Sequence, residues 1–326
     1  MLSRPDNPKS TLPERYVPWI DIGLLNNMPD AALEATENQF AGLLQAAAGT
    51  LPVRLHYYSL PEIPRGDAAQ SRINALYGGL PELWRSRLDA LIVTGAEPRT
   101  ADLRQEPFWT SMVEVIEWCR GNVESSVWSC LAAHAAVLHL DGVLRKPLSQ
   151  KSCGVFEHTV EHGVNPAHPL TRGLGTRTFA PHSRWNQVTR DLLLGCGYDV
   201  LTYSAVAGVN LFAKRAGSLF VFWQGHPEYD EQSLLKEYQR DIGRYLRGER
   251  ESFPTMPQGY FDQEASRQLL EFQTKATAGR HVRLLEQFPV RAAAAGIANT
   301  WAADAVQHYR NWLQMLVAAG SKRRSA

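Results

Sequence analysis

The sequence predicts an α/β protein: a mostly parallel sheet flanked by helices, with a helical segment at the C-terminal end. Short apolar runs of strand length recur along its 326 residues. Stretches with helical spacing alternate with them, and several runs stop at glycine or at a polar turn. In such a sheet reactive groups belong at the C-terminal ends of the strands, so the residues just past each run carry the most weight for chemistry.

The first strand is Trp19 to Asn26, an apolar run whose polar end enters a loop. Asn27-Met28-Pro29-Asp30 is turn chemistry, and Ala31 to Ala48 has the Ala, Leu, Glu and Gln content of a helix. Val53 to Tyr58 alternates as a strand does, and Leu88 to Gly95 is a short buried strand stopped by glycine. Phe108 to Arg120 has helical spacing, with Trp109, Met112, Val113, Ile116 and Trp118 as the expected apolar stripe. Ser125 to Ser129 is a strand followed at once by the alanine-rich helical stretch Leu131 to Leu140. Ser218 to Gln224 is another strand, ending at Gly225, and Glu231 to Leu246 returns to helical spacing. Signals are weak from Glu251 to Thr300, which reads as connecting structure. Trp301 to Ala319 sets Trp301, Ala305, Tyr309, Trp312 and Leu316 at helical intervals, a packing stripe. The expected organisation is a flexible arm over 1–17, one α/β domain over 18–320 with its C-terminal helix at about 300–319, and a basic tail over 321–326.

Composition narrows the class of function. Apolar residues make up 44% and charged residues 21%, as in a globular chain with a sizeable core. Lys plus Arg number 34 against 33 Asp plus Glu, a net charge of +1, which leaves no electrostatic footprint for nucleic acid or an anionic membrane. The one basic cluster, Lys322-Arg323-Arg324, reads as a solvated tail. There is no apolar run of about 18 residues and no secretory h-region near Met1, so neither a transmembrane helix nor a signal peptide is expected. Four scattered cysteines without a C-x-x-C pair point to reduced thiols in a cytoplasmic setting.

Two constellations follow strands. Cys130 stands between Val127-Trp128-Ser129 and Leu131-Ala132-Ala133-His134. A sharp strand-to-helix turn there exposes the thiol, and the first amides of the helix offer a positive field for a thiolate or an oxyanion. Taken alone, a buried core cysteine explains it as well. Gly225-His226-Pro227-Glu228 follows the strand ending at Gln224; alternate residues of an extended segment share a side, so Glu228 can orient His226. A competing pattern is His158-Thr159-Val160-Glu161-His162, which spells the inverted zinc-protease signature. That chemistry needs a helix, whereas this stretch reads as strand and turn, and no metal site is expected.

Together these residues resemble the homoserine O-acyltransferases of methionine biosynthesis, the homoserine O-succinyltransferase family on a class I glutamine amidotransferase-like, flavodoxin-like fold. The likeness runs from about residue 18 to 317 through Leu25-Asn26-Asn27-Met28-Pro29, Thr36 to Phe40, Leu91 to Ala96, Cys130, Lys151 with Gly154 to His158, Ala180 to Arg184, Gly225 to Asp230 and Arg240-Asp241. The resemblance implies Cys130 as acyl-accepting nucleophile, His226 as general base and Glu228 as its orienting partner. It places Lys151, Ser183 and Arg240 in the substrate pocket, with Arg240 suited to an amino acid α-carboxylate. The implied reaction is ping-pong acyl transfer from an acyl-CoA co-substrate to the hydroxyl of L-homoserine. No cofactor and no metal are implied, and the likeness points to a homodimer.

The sequence also departs from the family. The segment Asp30 to Ala35 lacks the lysines often found there, Leu131 replaces the usual Trp, His134 stands where Gln is common, and Cys153 and Phe156 replace Ser and Tyr. Arg99 occupies the position that is Gly in succinyl-CoA users and Glu in acetyl-CoA users. A cation there can pair with the free carboxylate of a succinyl group, which favours succinyl over acetyl as the acyl group; the alternative is an Arg99 that faces solvent. Rival readings are a cysteine-triad amidohydrolase of the same fold, a glutaminase or peptidase, which the missing glycines around Cys130 disfavour, and a catalytically degenerate binding protein.

Overall fold

Both faces of the strands are apolar, and that decides how the chain is layered. The computed structural model describes residues 19–161 and 168–325. Ile20–Leu25 (β1), Val53–Tyr58 (β2), Tyr77–Gly78 (β3), Ala90–Val93 (β4) and Ser125–Ser129 (β5) run parallel. The chain then forms Lys146–Val160 (β6), Arg177–Gln187 (β7), Asp199–Val200 (β8), Thr202–Ser204 (β9) and Gly208–Val209 (β10). It returns through Leu211–Ala216 (β11) to Ser218–Trp223 (β12), which lies parallel to β5. The main sheet has eight strands in the order β3-β2-β1-β4-β5-β12-β11-β8, antiparallel only at its β11 and β8 edge. A second, antiparallel sheet of four strands runs β10-β9-β6-β7.

On β12, Leu219, Val221 and Trp223 join one core cluster while Phe220 and Phe222 join another, as alternation across a two-sided sheet requires. Asp30–Ala48 (α1) and the long C-terminal helix cover the first face. Between them in sequence come Asp67–Leu76 (α2), Leu80–Arg85 (α3), Trp109–Asn122 (α4) and Leu131–Asp141 (α5), the last two covering the opposite face. Arg190–Gly195 (α6), Ser233–Leu246 (α7), Gln263–Ala278 (α8), Val290–Ala295 (α9) and Ala302–Ser325 (α10) complete the helices. A third cluster joins Val155 of β6 to Leu234, Tyr238 and Ile242 of α7 and to Leu269 and Phe272 of α8, so the second sheet and these helices form a lobe of their own. Among the described residues no helix is long and apolar enough to cross a membrane.

The α10 stripe packs as expected: Trp301, Ala305, Tyr309, Trp312 and Leu316 are all buried, and the helix continues past 319 to Ser325. The Trp312 indole N–H donates to Ser125 Oγ at 2.9 Å, which itself donates to Leu219 O at 2.8 Å, fastening the helix to β5 and β12. Two expectations are corrected. The buried face of α4 is Ser111, Met112, Val115, Ile116 and Cys119, while Trp109, Val113 and Trp118 are only half-buried, because the stripe that meets the sheet follows the i, i+3/i+4 spacing through 112, 115, 116 and 119 and the two indoles flank it. The 251–300 segment is not plain connection: it holds α8, whose first turn is capped by Asp262 accepting from Ala265 N at 2.7 Å, and α9. The expected arm over 1–17 lies outside the described residues, as does His162 of the H-x-x-E-H pattern.

Trp312→Ala removes a fully buried indole and is expected to cost about 3–5 kcal/mol of unfolding free energy. Trp312→Phe, which drops the Ser125 hydrogen bond but keeps most of the ring, is expected to cost about 1–2 kcal/mol. Urea denaturation checks both; a Trp312→Ala midpoint equal to the wild type contradicts the role given to α10.

Candidate active site

The site is built on the ends of adjacent parallel strands. Leaving β5, the backbone turns at Cys130 with φ 52° and ψ −111°, and this is the only non-glycine residue with positive φ among those described. Holding a β-carbon there costs on the order of 1–3 kcal/mol, which the surrounding bonds must offset. The Cys130 N–H donates to Trp223 O at the end of β12 at 2.7 Å, and its carbonyl accepts from His134 N at 3.3 Å inside α5. Ala132, Ala133, Ala135 and Ala136 are fully buried, so α5 lies close on the sheet. Its first amides have no partner within the helix and face the thiol end of the turn. A β-carbon on Gly95, at the end of β4, would stand 3.1 Å from the Leu131 amide nitrogen; glycine keeps that amide clear.

His226 arrives from the neighbouring strand. Trp223 is in register with Ser129, so the residues past each strand end converge. Gly225 makes the approach possible: a β-carbon there would lie 2.6 Å from Asn210 Oδ1 and 2.7 Å from Pro181 O. The His226 main-chain N–H donates to Pro181 O at 2.8 Å, and its Nδ1–H donates to Glu228 Oε1 at 2.8 Å. The imidazole and the Cys130 side chain line the same cavity, and the sulfur acts on the charge of the ring. Both His226 and Glu228 are 7% exposed, which makes their pairing electrostatically strong. Burial alone would lower the pKa of His226; the Glu228 carboxylate and the Cys130 sulfur outweigh it and hold the imidazolium well above the ordinary histidine range. The Tyr229 ring stacks on the imidazole with centroids 4.3 Å apart.

Cys130, His226 and Glu228 share a cavity of about 290 Å³ with Lys151, Ser183 and Arg240. Lys151 comes from β6 and Ser183 from β7, so the second sheet forms one wall and α7 the other. Lys151 Nζ donates to Asp241 Oδ2 at 3.0 Å and to Glu237 Oε2 at 3.4 Å. Burial opposes its charge, yet those carboxylates keep the ammonium above its ordinary range. Ser183 and Tyr229 hydroxyls both donate to Glu237, and Arg240 pairs with Asp241 at 3.2 Å. Glu237 and Asp241 were absent from the sequence-derived set. Their signal was their spacing, i and i+4 with Arg240 between them, which puts the carboxylates on one helix face. Arg145, Arg184 and Tyr229 also line the cavity without having been singled out. Arg99 is not in this wall: its side chain is exposed and borders an adjacent cavity of about 370 Å³, while its main-chain N–H donates to Glu106 Oε1 at 2.7 Å.

Neutral histidines support the site from behind. Arg184 Nε–H donates to His182 Nδ1 at 3.1 Å, which leaves the His182 proton on Nε2 to donate to His158 Nε2 at 3.2 Å; His158 Nδ1–H donates to Phe156 O at 2.9 Å. His158 is thus committed within β6, and Glu161 pairs with Arg190 at 3.0 Å, so the two described acid–base members of the H-x-x-E-H pattern have separate partners. His134 bonds Gln224 Oε1 at 3.1 Å, and Gln224 in turn clamps Val188 and Val209.

A cysteine stands on the elbow after β5 and a hydrogen-bonded histidine–glutamate pair follows the adjoining strand, both in the wall of one cavity. A solved structure of SMU.1228c superposes with a TM-score of 0.50 at 12% identity, covering 91% of this chain and 99% of that one, a likeness of fold alone. The model of the family described as homoserine O-succinyltransferase matches residues 13–322. The chain belongs to the homoserine O-succinyltransferase family. The homoserine O-succinyltransferase of Rhodopseudomonas palustris is 48% identical over 90% of this chain and 87% of its own length. That of Bradyrhizobium japonicum is 45% identical over 91% and 90%. The family is one of acyl-transferring enzymes, and each of the quoted segments but Gly154 to His158 contributes at least one residue to the cavity wall, Met28, Thr36, Gly95, Cys130, Ser183 and Arg240 among them.

Burial pushes His134 down to about 3 and His158 and His308 to about 4, with His182 well below its ordinary value. The unfolded chain, with histidines near 6.5, therefore binds more protons than the fold at mildly acidic pH. Stability contributed by these neutral rings is complete above about 6.5 and is lost as pH falls toward 4. His226, raised instead, works in the opposite sense but is outnumbered. Urea midpoints are expected to fall steadily from pH 6.5 to 5, above the range where carboxylates titrate; a flat or rising midpoint contradicts the neutral assignment.

Proposed function

We propose that this chain transfers the succinyl group of succinyl-CoA to the side-chain hydroxyl of L-homoserine through a thioester on Cys130. The placement of Cys130 on the strained turn after β5, in one cavity with a His226 that is itself fixed by Glu228, carries the reading. The relatives' names support succinyl over acetyl as the acyl group.

In the first half-reaction the Cys130 sulfur attacks the thioester carbonyl, and the oxyanion is met by the Leu131 amide at the start of α5. As the tetrahedral carbon collapses, its bond to the CoA sulfur breaks and the His226 imidazolium gives its proton to that sulfur. In the second half-reaction His226, now neutral, takes the proton of the homoserine hydroxyl while that oxygen attacks the acyl carbonyl. The Cys130 sulfur leaves with the bonding pair, and an ester of homoserine departs. Glu228 fixes the ring by accepting from Nδ1 and stabilises each imidazolium.

The opposite wall suits a zwitterion. Arg240, 48% exposed at its side chain, is available to the α-carboxylate of the acceptor. Glu237 and Asp241 supply negative charge for its ammonium, with Lys151 and Ser183 holding those carboxylates in place. Tyr229 links the two halves of the site, stacking on His226 and donating to Glu237.

Steady-state release of CoA from succinyl-CoA in the presence of L-homoserine tests the reading. Cys130→Ala is expected to lower kcat at least about a thousandfold and His226→Asn by about 10²–10⁴-fold, with far-UV circular dichroism unchanged. Turnover by Cys130→Ala near the wild-type rate, or no transfer by the wild type, overturns it.

A further inference from the structure

Six cationic side chains line the cavity, and five of them are already engaged. Lys151, Arg240 and Arg250 face Asp241 at 3.0, 3.2 and 3.7 Å, and Arg244 faces Glu97 at 3.7 Å. Arg184, 3% exposed, uses all its nitrogens on His182, Asn186 O and Ala207 O. Arg145 differs. Its Nη2 donates to Thr100 O and Ala101 O at 3.0 Å each, but its Nε is buried without a partner, and among the described residues no carboxylate lies at ion-pair distance from it. The acid nearest in influence, Glu106, accepts at Oε1 from the amides of Arg99 and Thr100 and from the Thr100 hydroxyl; its Oε2 is buried without a partner and makes no ion pair with Arg145. Asp102 pairs with Arg104 at 2.8 Å. Arg145 and the Cys130 side chain line the same cavity.

A half-buried guanidinium with unused donors in the same cavity as the Cys130 thiol is matched by an acyl group that carries its own anion. A succinyl thioester has a free carboxylate two methylenes beyond its carbonyl; an acetyl group has nothing to offer there. We propose that Arg145 is the specificity-determining residue of the acyl half-reaction, receiving the free carboxylate of the succinyl group while the thioester carbonyl lies at Cys130. This rests on the acyl-transfer reading above and moves the role expected for Arg99 to a side chain in the wall of the catalytic cavity. The two Thr100 and Ala101 carbonyls aim the guanidinium, so the loop after β4 takes part only indirectly.

Competition between succinyl-CoA and butyryl-CoA, which match in chain length and differ in the carboxylate, reads the proposal directly as a ratio of kcat/KM values. Arg145→Gln is expected to lower the succinyl-to-butyryl ratio by about 10- to 100-fold, and Arg145→Lys, which keeps the charge but loses the planar fork, by less. If Arg145→Gln does not fold, as judged by circular dichroism, the Arg145→Lys ratio decides: a fall supports the assignment and an unchanged ratio overturns it. Equal slowing of both donors in Arg145→Gln overturns it in favour of a loop-holding role. Collapse of the ratio in Arg99→Gln with Arg145→Gln unaffected gives the role to Arg99 and likewise overturns it. A wild type that transfers succinyl groups without preferring them to butyryl overturns this inference alone. A wild type that transfers no succinyl group overturns the acyl-transfer reading as well.

Discussion

The main-chain hydrogen bond from Cys130 to Trp223 O is the constraint on which the site depends. It ties the left-handed turn after β5 to the end of β12 and so converts a strand register into a catalytic distance. With Ser129 opposite Trp223, the residue after one strand and the short loop after the other cannot separate without breaking the sheet. Gly225 and Gly95 matter for the same reason: each stands where a β-carbon would collide with the partner element. The strain at Cys130 is held by interactions spread across two strands and a helix, which is how a sparsely populated backbone conformation persists.

Electrostatics then divides nearly identical groups by their surroundings. His134, His158, His182 and His308 are buried with no carboxylate against the ring, and the Arg184 cation further disfavours charge on the first three, so they are held uncharged; His226, also buried, faces Glu228 and Cys130 and keeps its proton. Burial works in one direction for all of them, and at His226 the adjacent Glu228 carboxylate together with the Cys130 sulfur reverses it. The acceptor wall follows the same logic. Glu237 is nearly enclosed, yet Lys151, Ser183 and Tyr229 hold it ionised below its ordinary range. The cavity therefore offers separated positive and negative regions on either side of a sulfur.

The legible parts of the fold were those with strong local patterns. β4 and β12 are nearly continuous apolar runs, β1 and β5 are short buried stretches with small or polar residues among apolar ones, and the two chemistry-bearing turns follow directly from β5 and β12. Helix α10 announced itself through large aromatics at helical spacing. On α4 the same reliance on large side chains misled, because Trp109 and Trp118 sit half-exposed while Ser111 and Cys119 are buried. Helix α8 buries only Ala265, Leu269, Phe272 and Ala276, a thin stripe in a polar segment, so its period was too faint to separate from loop. The second sheet mixes buried and exposed positions irregularly along β6, and its register shift between Pro147 and Ser152 breaks any simple alternation. Lys151 and Ser183 were reachable through family resemblance alone. Arg145 had no local signal, since what distinguishes it is the bonds its neighbours have used up.

The central claim is that the sulfur on this elbow carries the acyl group between the two substrates. Peptide mass mapping after mixing the wild-type protein with succinyl-CoA, before and after addition of L-homoserine, tests it most directly. The account predicts a succinyl mass on the peptide containing Cys130 that disappears when homoserine is added. Transfer at full rate with that peptide unmodified throughout, or modification at a different residue, would contradict it.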